Sequence, residues 1–191
     1  MVRIMFQTRQ KGIGLVEVLV ALMIFSIGML GIASLQIISK RSSFEAQQRQ
    51  EAVFMANDMI SRINNSGLTP SQIKTYYDGQ DFSADSAPES PYDCMDNDCN
   101  VGQLVAYDLS RWHKNIYGSA VEAGSGKKVS GLVGTRGCID VEQAGGEVSK
   151  VTVTIAWLSM SSMSGDKQRV CAAGDSAKQR EVSVNTFIIK Y

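Results

Sequence analysis

Val18 to Ile38 is a run of 21 uncharged, mostly apolar residues, and no other feature of the chain limits its folding as strongly. At about 1.5 Å per residue, a helix of that length crosses the roughly 30 Å hydrocarbon core of a bilayer. A single glutamate, Glu17, stands at its start, and Lys40 and Arg41 follow its end. The first twelve residues carry Arg3, Arg9 and Lys11 with no acid, a charge of +3, whereas the rest of the chain carries −3. A basic tag ahead of an apolar segment is a targeting pattern, and its short basic N-terminus favours a cytoplasmic start. The overall charge is balanced, so there is no basic surplus to bind nucleic acid.

Beyond Arg41 the pattern becomes amphipathic. Phe44, Ala52, Val53, Ala56, Met59, Ile60 and Ile63 recur at spacings of three and four, while Gln47, Gln48, Arg49, Asn57, Asp58 and Arg62 fill the other face. That period predicts a half-buried helix. No proline interrupts residues 13–65, and Asn64-Asn65-Ser66-Gly67 with Pro70 beyond is a stop signal. The expectation is one helix of about 50 residues, apolar nearly all round in its first half and striped in its second. Gly28 and Gly31 make the apolar half locally softer, at roughly 0.5–1 kcal/mol each relative to alanine.

Residues 67–100 hold all three prolines and, from Asp78 to Asp98, seven acids without a base. They read as one long surface loop. Asp96, Asp98 and Asn100 invite a calcium reading, but Val101 stands where an EF-hand loop requires glycine and Tyr107 where it requires glutamate. A helix is predicted over "QLVAYDLSRWHKNIY", with Leu104, Val105, Leu109, Trp112 and Ile116 on one side and Trp112 as an anchor. Three strands are predicted over "RGCIDVE", "EVSKVTVTIAWLSM" and "REVSVNTFIIKY", with spacings that suit antiparallel pairing. The expected class is α+β, a long N-terminal helix packed on a small antiparallel sheet.

All four cysteines, Cys94, Cys99, Cys138 and Cys171, follow the apolar segment, which points to two disulfides in an oxidising compartment. Three pairings are open. A local Cys94–Cys99 loop with Cys138–Cys171 as a longer staple is the preferred one. A zinc site is disfavoured, because the Cys94–Cys99 spacing has no matching second pair and His113 is the one histidine. No convergent reactive groups suggest an enzyme. His113 reads as a surface or satisfied structural residue, no G-x-S-x-G elbow occurs, and "GSGKK" lacks the spacing and hydroxyl of a phosphate loop. Neither a cofactor nor a metal is expected.

Three readings compete for the N-terminus. A secretory signal peptide would use Gly31-Ile32-Ala33 as its cleavage site, but the apolar run exceeds the usual 7–15 residues and Glu17 intrudes. A plain single-pass anchor explains the length and leaves Glu17 without a purpose, although near the membrane edge its cost is modest. The third reading uses every residue. "QKGIGLVEVLVAL" resembles the class III signal of type IV pilins and pseudopilins, a basic leader ending in glycine, then an apolar first mature residue with glutamate fifth. Lys11 and Gly12 end the leader, and the resemblance implies cleavage between Gly12 and Ile13 by prepilin peptidase and N-methylation of Ile13. Ile13 stands where phenylalanine is usual, and Gly14 where serine or threonine is common. Removing the leader leaves an amine that a carboxylate can meet in a low-dielectric medium, and Glu17 is the assembly and register residue so implied.

The run "GLVEVLVALMIFSIGMLGIASLQ", followed by Cys94 and Cys99, "AYDLSRW", "GCIDV" and "VTVTIAWLSM" in that order, is similar to the PilV family of minor pilins, the type IV pilus modification proteins. The similarity is strong over residues 11–36 and looser over the last hundred. It implies a pilin-like fold and three regions. Residues 1–12 would be a cleaved leader, 13–39 a transmembrane and filament-core half-helix, and 40–191 a periplasmic globular domain that includes the amphipathic half of the helix, 40–66. The implied protein is anchored in the inner membrane of a Gram-negative-type bacterium, then added to a surface pilus or to the complex that primes it. Its implied partners are prepilin peptidase, the inner-membrane pilus assembly machinery, other minor pilins and the major pilin. The alternatives are a minor pseudopilin of type II secretion, and a membrane-tethered binding domain or enzyme with a fortuitous Gly-to-Glu spacing.

Overall fold

The computed structural model describes residues 12, 14–83, 90, 92–118, 132–143, 147–160, 171 and 178–189. Seven elements follow one another: α1 (Leu15–Asn65), α2 (Pro70–Tyr77), β1 (Gln80–Phe82), α3 (Val101–Ile116), β2 (Arg136–Gln143), β3 (Val148–Leu158) and β4 (Gln179–Ile189). The architecture is α+β and pilin-like, a long N-terminal helix and a small antiparallel sheet. The chain divides into two compact units at Phe44 and Glu45.

In the first unit, the described residues from Leu15 onward are helical, and the most apolar window of α1 has a mean hydropathy of 2.5 with none of it buried. This helix is long and apolar enough to cross a membrane. The two hydroxyls within Val18–Ile38 are satisfied internally: Ser26 Oγ donates to Leu22 O at 2.7 Å and Ser34 Oγ to Leu30 O at 3.0 Å. A polar side chain bonded one turn back presents no unpaired donor to hydrocarbon.

In the second unit, one stripe of α1 enters the core through Gln48, Ala52, Met55, Ala56, Met59, Ile60 and Ile63. The sheet is a meander in the order β1-β2-β3-β4, every pair antiparallel. Alternate residues Val151, Val153, Ile155 and Trp157 of β3 face the helices, as do Ile139 and Val141 of β2. Trp112 and Ile116 of α3 and Ile73 and Tyr77 of α2 complete the same cluster. Trp112 is fully buried, with Phe82 edge-on at 5.6 Å and 86°, and its Nε1–H donates to Met55 O at 2.9 Å. That bond joins α3 to α1 inside the core. A Cβ on Gly137 of β2 would lie 2.9 Å from both Ile116 Cδ1 and Trp112 Cη2, so the absence of a side chain is what lets α3 close on the sheet.

Residues 67–100 depart from the expected single loop, since they contain α2 and β1. The reason is local chemistry. Thr69 caps α2 in a reciprocal box with Gln72, and Pro70 opens the helix, where its missing N–H costs nothing. α3 starts two residues earlier than predicted because Asn100 caps it in a second box with Gln103. Asn100, considered for calcium, is therefore spent on Gln103 N at 3.0 Å. β1 is three residues long, and β2 runs past its end. There Asp78 accepts from Val141 N (2.9 Å) while Lys74 Nζ donates to Val141 O (2.8 Å) and to Asp78 (2.6 Å). Two side chains thus continue the ladder where β1 has stopped, which closes an otherwise open edge.

Arg62 ties the helices a second time, reaching Asp58 at 3.0 Å and Asp108 of α3 at 2.9 Å. Burial pulls its pKa down, and the two carboxylates outweigh that and hold it above the ordinary value. Arg136 is paired with Asp81 across β2 and β1, a contact that likewise raises the guanidinium.

Candidate functional site

α1 opens at Gly14, whose carbonyl accepts from Glu17 N (2.9 Å) and Val18 N (3.3 Å). Gly12 is exposed, and a Cβ built on either glycine would meet nothing within 4 Å. At these two glycines the backbone is therefore uncrowded. Lys11 and Ile13 lie outside the described residues. Glu17 is an acid in the first turn of α1, where the helix dipole and unsatisfied N–H groups favour a negative charge. Its side chain is exposed, and among the described residues it makes no ion pair.

Behind Glu17 the apolar side chains of α1 are open on every face: Leu15 is 78% exposed, Phe25 62% and Leu30 74%. An isolated surface leucine means little, but a 21-residue run of exposed apolar helix requires lipid or other chains around it. Gly28 and Gly31 lie in this stretch with nothing within 4 Å of a built Cβ, so neighbouring backbones have room to approach there.

The four cysteines form two bridges, Cys94–Cys99 and Cys138–Cys171. The first closes a short turn before α3. The second fastens Cys171, which is buried, to Cys138 near the start of β2. His113 is buried, donates from Nε2 to Ser83 O at 3.1 Å and lies 4.5 Å from the Tyr117 ring, so its environment is structural.

Gly14 as the helix-opening acceptor and Ser26 and Ser34 as self-satisfied hydroxyls did not stand out in the sequence. Their signal was positional: glycine just before a helical run, and serine one turn after an aliphatic residue.

A family model described as "Prokaryotic N-terminal methylation motif" matches residues 7–33. The match runs from the basic leader through Gly12 and Glu17 into the apolar half of α1. No curated protein and no solved structure matches the chain. The motif, together with the fold, supports a protein of the pilin or pseudopilin type, processed by prepilin peptidase and working as a structural component anchored in a membrane.

Proposed function

We propose that this chain is a minor pilin of a type IV pilus. Prepilin peptidase cuts it between Gly12 and Ile13, at the end of the leader that Lys11 and Gly12 close, and Ile13 is then N-methylated. Residues 13–39 hold the subunit in the inner membrane with residues 40–191 in the periplasm. The same helix half then packs among neighbouring subunits, and the protein enters the surface pilus or primes it with other minor pilins and the major pilin.

The observation that carries this reading is the methylation motif over residues 7–33 leading into a helix whose apolar face has no cover of its own. The two disulfides add support, since they persist in an oxidising compartment. Glu17 acquires a role in this scheme: it meets the Ile13 amine of an adjacent subunit, or its own, and sets the axial register. In a low-dielectric surrounding such a pair is far stronger than in water.

The N-terminal code is shared with minor pseudopilins of type II secretion. The two are separated by following the protein in sheared surface filaments. Recovery with the pilus fraction, lost when the major pilin is deleted, supports the pilus reading. Presence in the membrane alone, together with loss of secretion on deletion, supports the pseudopilin.

A further inference from the structure

Asp93 begins the turn that the Cys94–Cys99 bridge closes, accepting from Met95 N at 3.1 Å through Oδ1, with Asn97 Nδ2 bonded to Asp93 O at 3.0 Å. This fixed turn stands against the outer side of α3. Between them lies a recess of about 330 Å³, at the small end of the range for small-molecule sites. Tyr92 and Asp93 form one wall, and Tyr107, Ser110, Arg111 and Lys114 form the other.

The guanidinium of Arg111 is held in place from one side. Its carbon lies 5.7 Å from the centre of the Tyr107 ring, and Nη1 donates to Tyr107 Oη at 3.3 Å. Among the described residues no carboxylate pairs with it. Its remaining N–H groups form a fork that suits a carboxylate or a phosphate. Asp93, on the facing wall, accepts hydrogen bonds from neutral hydroxyls and opposes a dianion such as phosphate more than a monoanion, while Lys114 adds a second positive charge on the wall of Arg111. Tyr92, 45% exposed, adds an aromatic surface for C–H groups, and Ser110 adds a hydroxyl. Acceptor, cation fork, hydroxyl and ring in one small recess match a molecule with one carboxylate and several hydroxyls.

We infer that this recess binds an acidic monosaccharide, a uronate-type sugar, with Arg111 on its carboxylate and Asp93 on its hydroxyls. The inference stands apart from the assembly role, because every residue it uses lies in the second unit and none in α1.

The test uses the full chain in a detergent without a sugar headgroup, titrated with glucuronate, glucose and inorganic phosphate by calorimetry and ligand-observed NMR. Glucuronate is expected to bind saturably, glucose roughly tenfold more weakly, and phosphate not to displace it. Arg111→Ala should weaken glucuronate by roughly tenfold and leave glucose unchanged, while Arg111→Lys should be intermediate. Arg111 is exposed and outside the core, so its loss leaves the fold intact. Tyr92→Ala is a second variant that should weaken both sugars. The proposal is overturned by a wild-type chain that shows no saturable glucuronate binding, by Arg111→Ala binding it as wild type, or by phosphate competing at equal concentration.

Discussion

The indole N–H of Trp112 donates to the carbonyl of Met55 at 2.9 Å, across 57 residues of sequence and between two helices. In the interior of α1 that carbonyl already faces the N–H one turn on, so the bond is an addition to the helix ladder. Trp112→Phe keeps most of the buried ring and removes the donor without orphaning the acceptor. A loss of about 1–2 kcal/mol is expected in urea unfolding of the full chain in detergent, against about 3–5 kcal/mol for Trp112→Ala.

Gly137 is the point of closest approach between β2 and α3. Gly137→Ala should cost about 1–3 kcal/mol, because the new methyl meets Ile116 Cδ1 and Trp112 Cη2 at 2.9 Å. Adding Ile116→Val removes Cδ1 and should recover part of that loss, although Ile116→Val alone destabilises. A double-mutant cycle checks it: strictly additive losses would mean the clash is relieved elsewhere.

Asp78 gives the fold an acid-sensitive joint. The Lys74 hydrogen bond first, and the Val141 N–H next, hold its carboxyl below the ordinary carboxylate value against a smaller opposing effect of burial. A carboxyl depressed on folding binds fewer protons in the native state than in the unfolded one. Its stabilisation is therefore fully present above the unfolded value of about 3.9, and it is lost as pH falls through the lower native value. Unfolding free energies of the wild type and Asp78→Asn should differ by a constant amount from neutral pH down to about 5, then converge toward acid. A gap independent of pH would contradict the assignment.

Much of this fold could be read from periodicity, and what could not has a physical reason. Ala52, Ala56, Met59, Ile60 and Ile63 recur at helical spacing and all are buried. Gln48, expected on the polar face, is 3% exposed. It sits one turn before Ala52, and that spacing overrides its polarity. Leu104, expected on the buried side of α3, is 36% exposed beside the buried Val105. α2 and β1 were hidden because their surroundings are acidic and aperiodic. Thr69-Pro70-Ser71-Gln72 carried a capping signal, whereas β1 exists through its register with β2, a long-range property that three residues do not encode. At the N-terminus, the basic leader, Gly12 and Glu17 carried the resemblance to a prepilin signal, and the methylation motif matches over residues 7–33. The recess beneath the Cys94–Cys99 turn was not legible, since it joins segments that only the folded chain brings together.

Glu17→Ala separates processing from assembly. The variant should still be cut after Gly12, because the carboxylate lies on the mature side of the scissile bond and its proposed role begins after cleavage. Its recovery in sheared filaments should fall several-fold relative to wild type, with its level in the membrane unchanged. Equal incorporation of wild type and variant would remove the register role.

The central claim is that this chain matures at Gly12–Ile13, and the N-terminus of the membrane-extracted protein tests it most directly. Intact mass and N-terminal sequencing should be done from cells with and without prepilin peptidase. With the peptidase, the chain should begin at Ile13 and carry one added methyl group; without it, residues 1–12 should remain. A chain that keeps Met1 to Gly12 in cells with active peptidase would contradict the account.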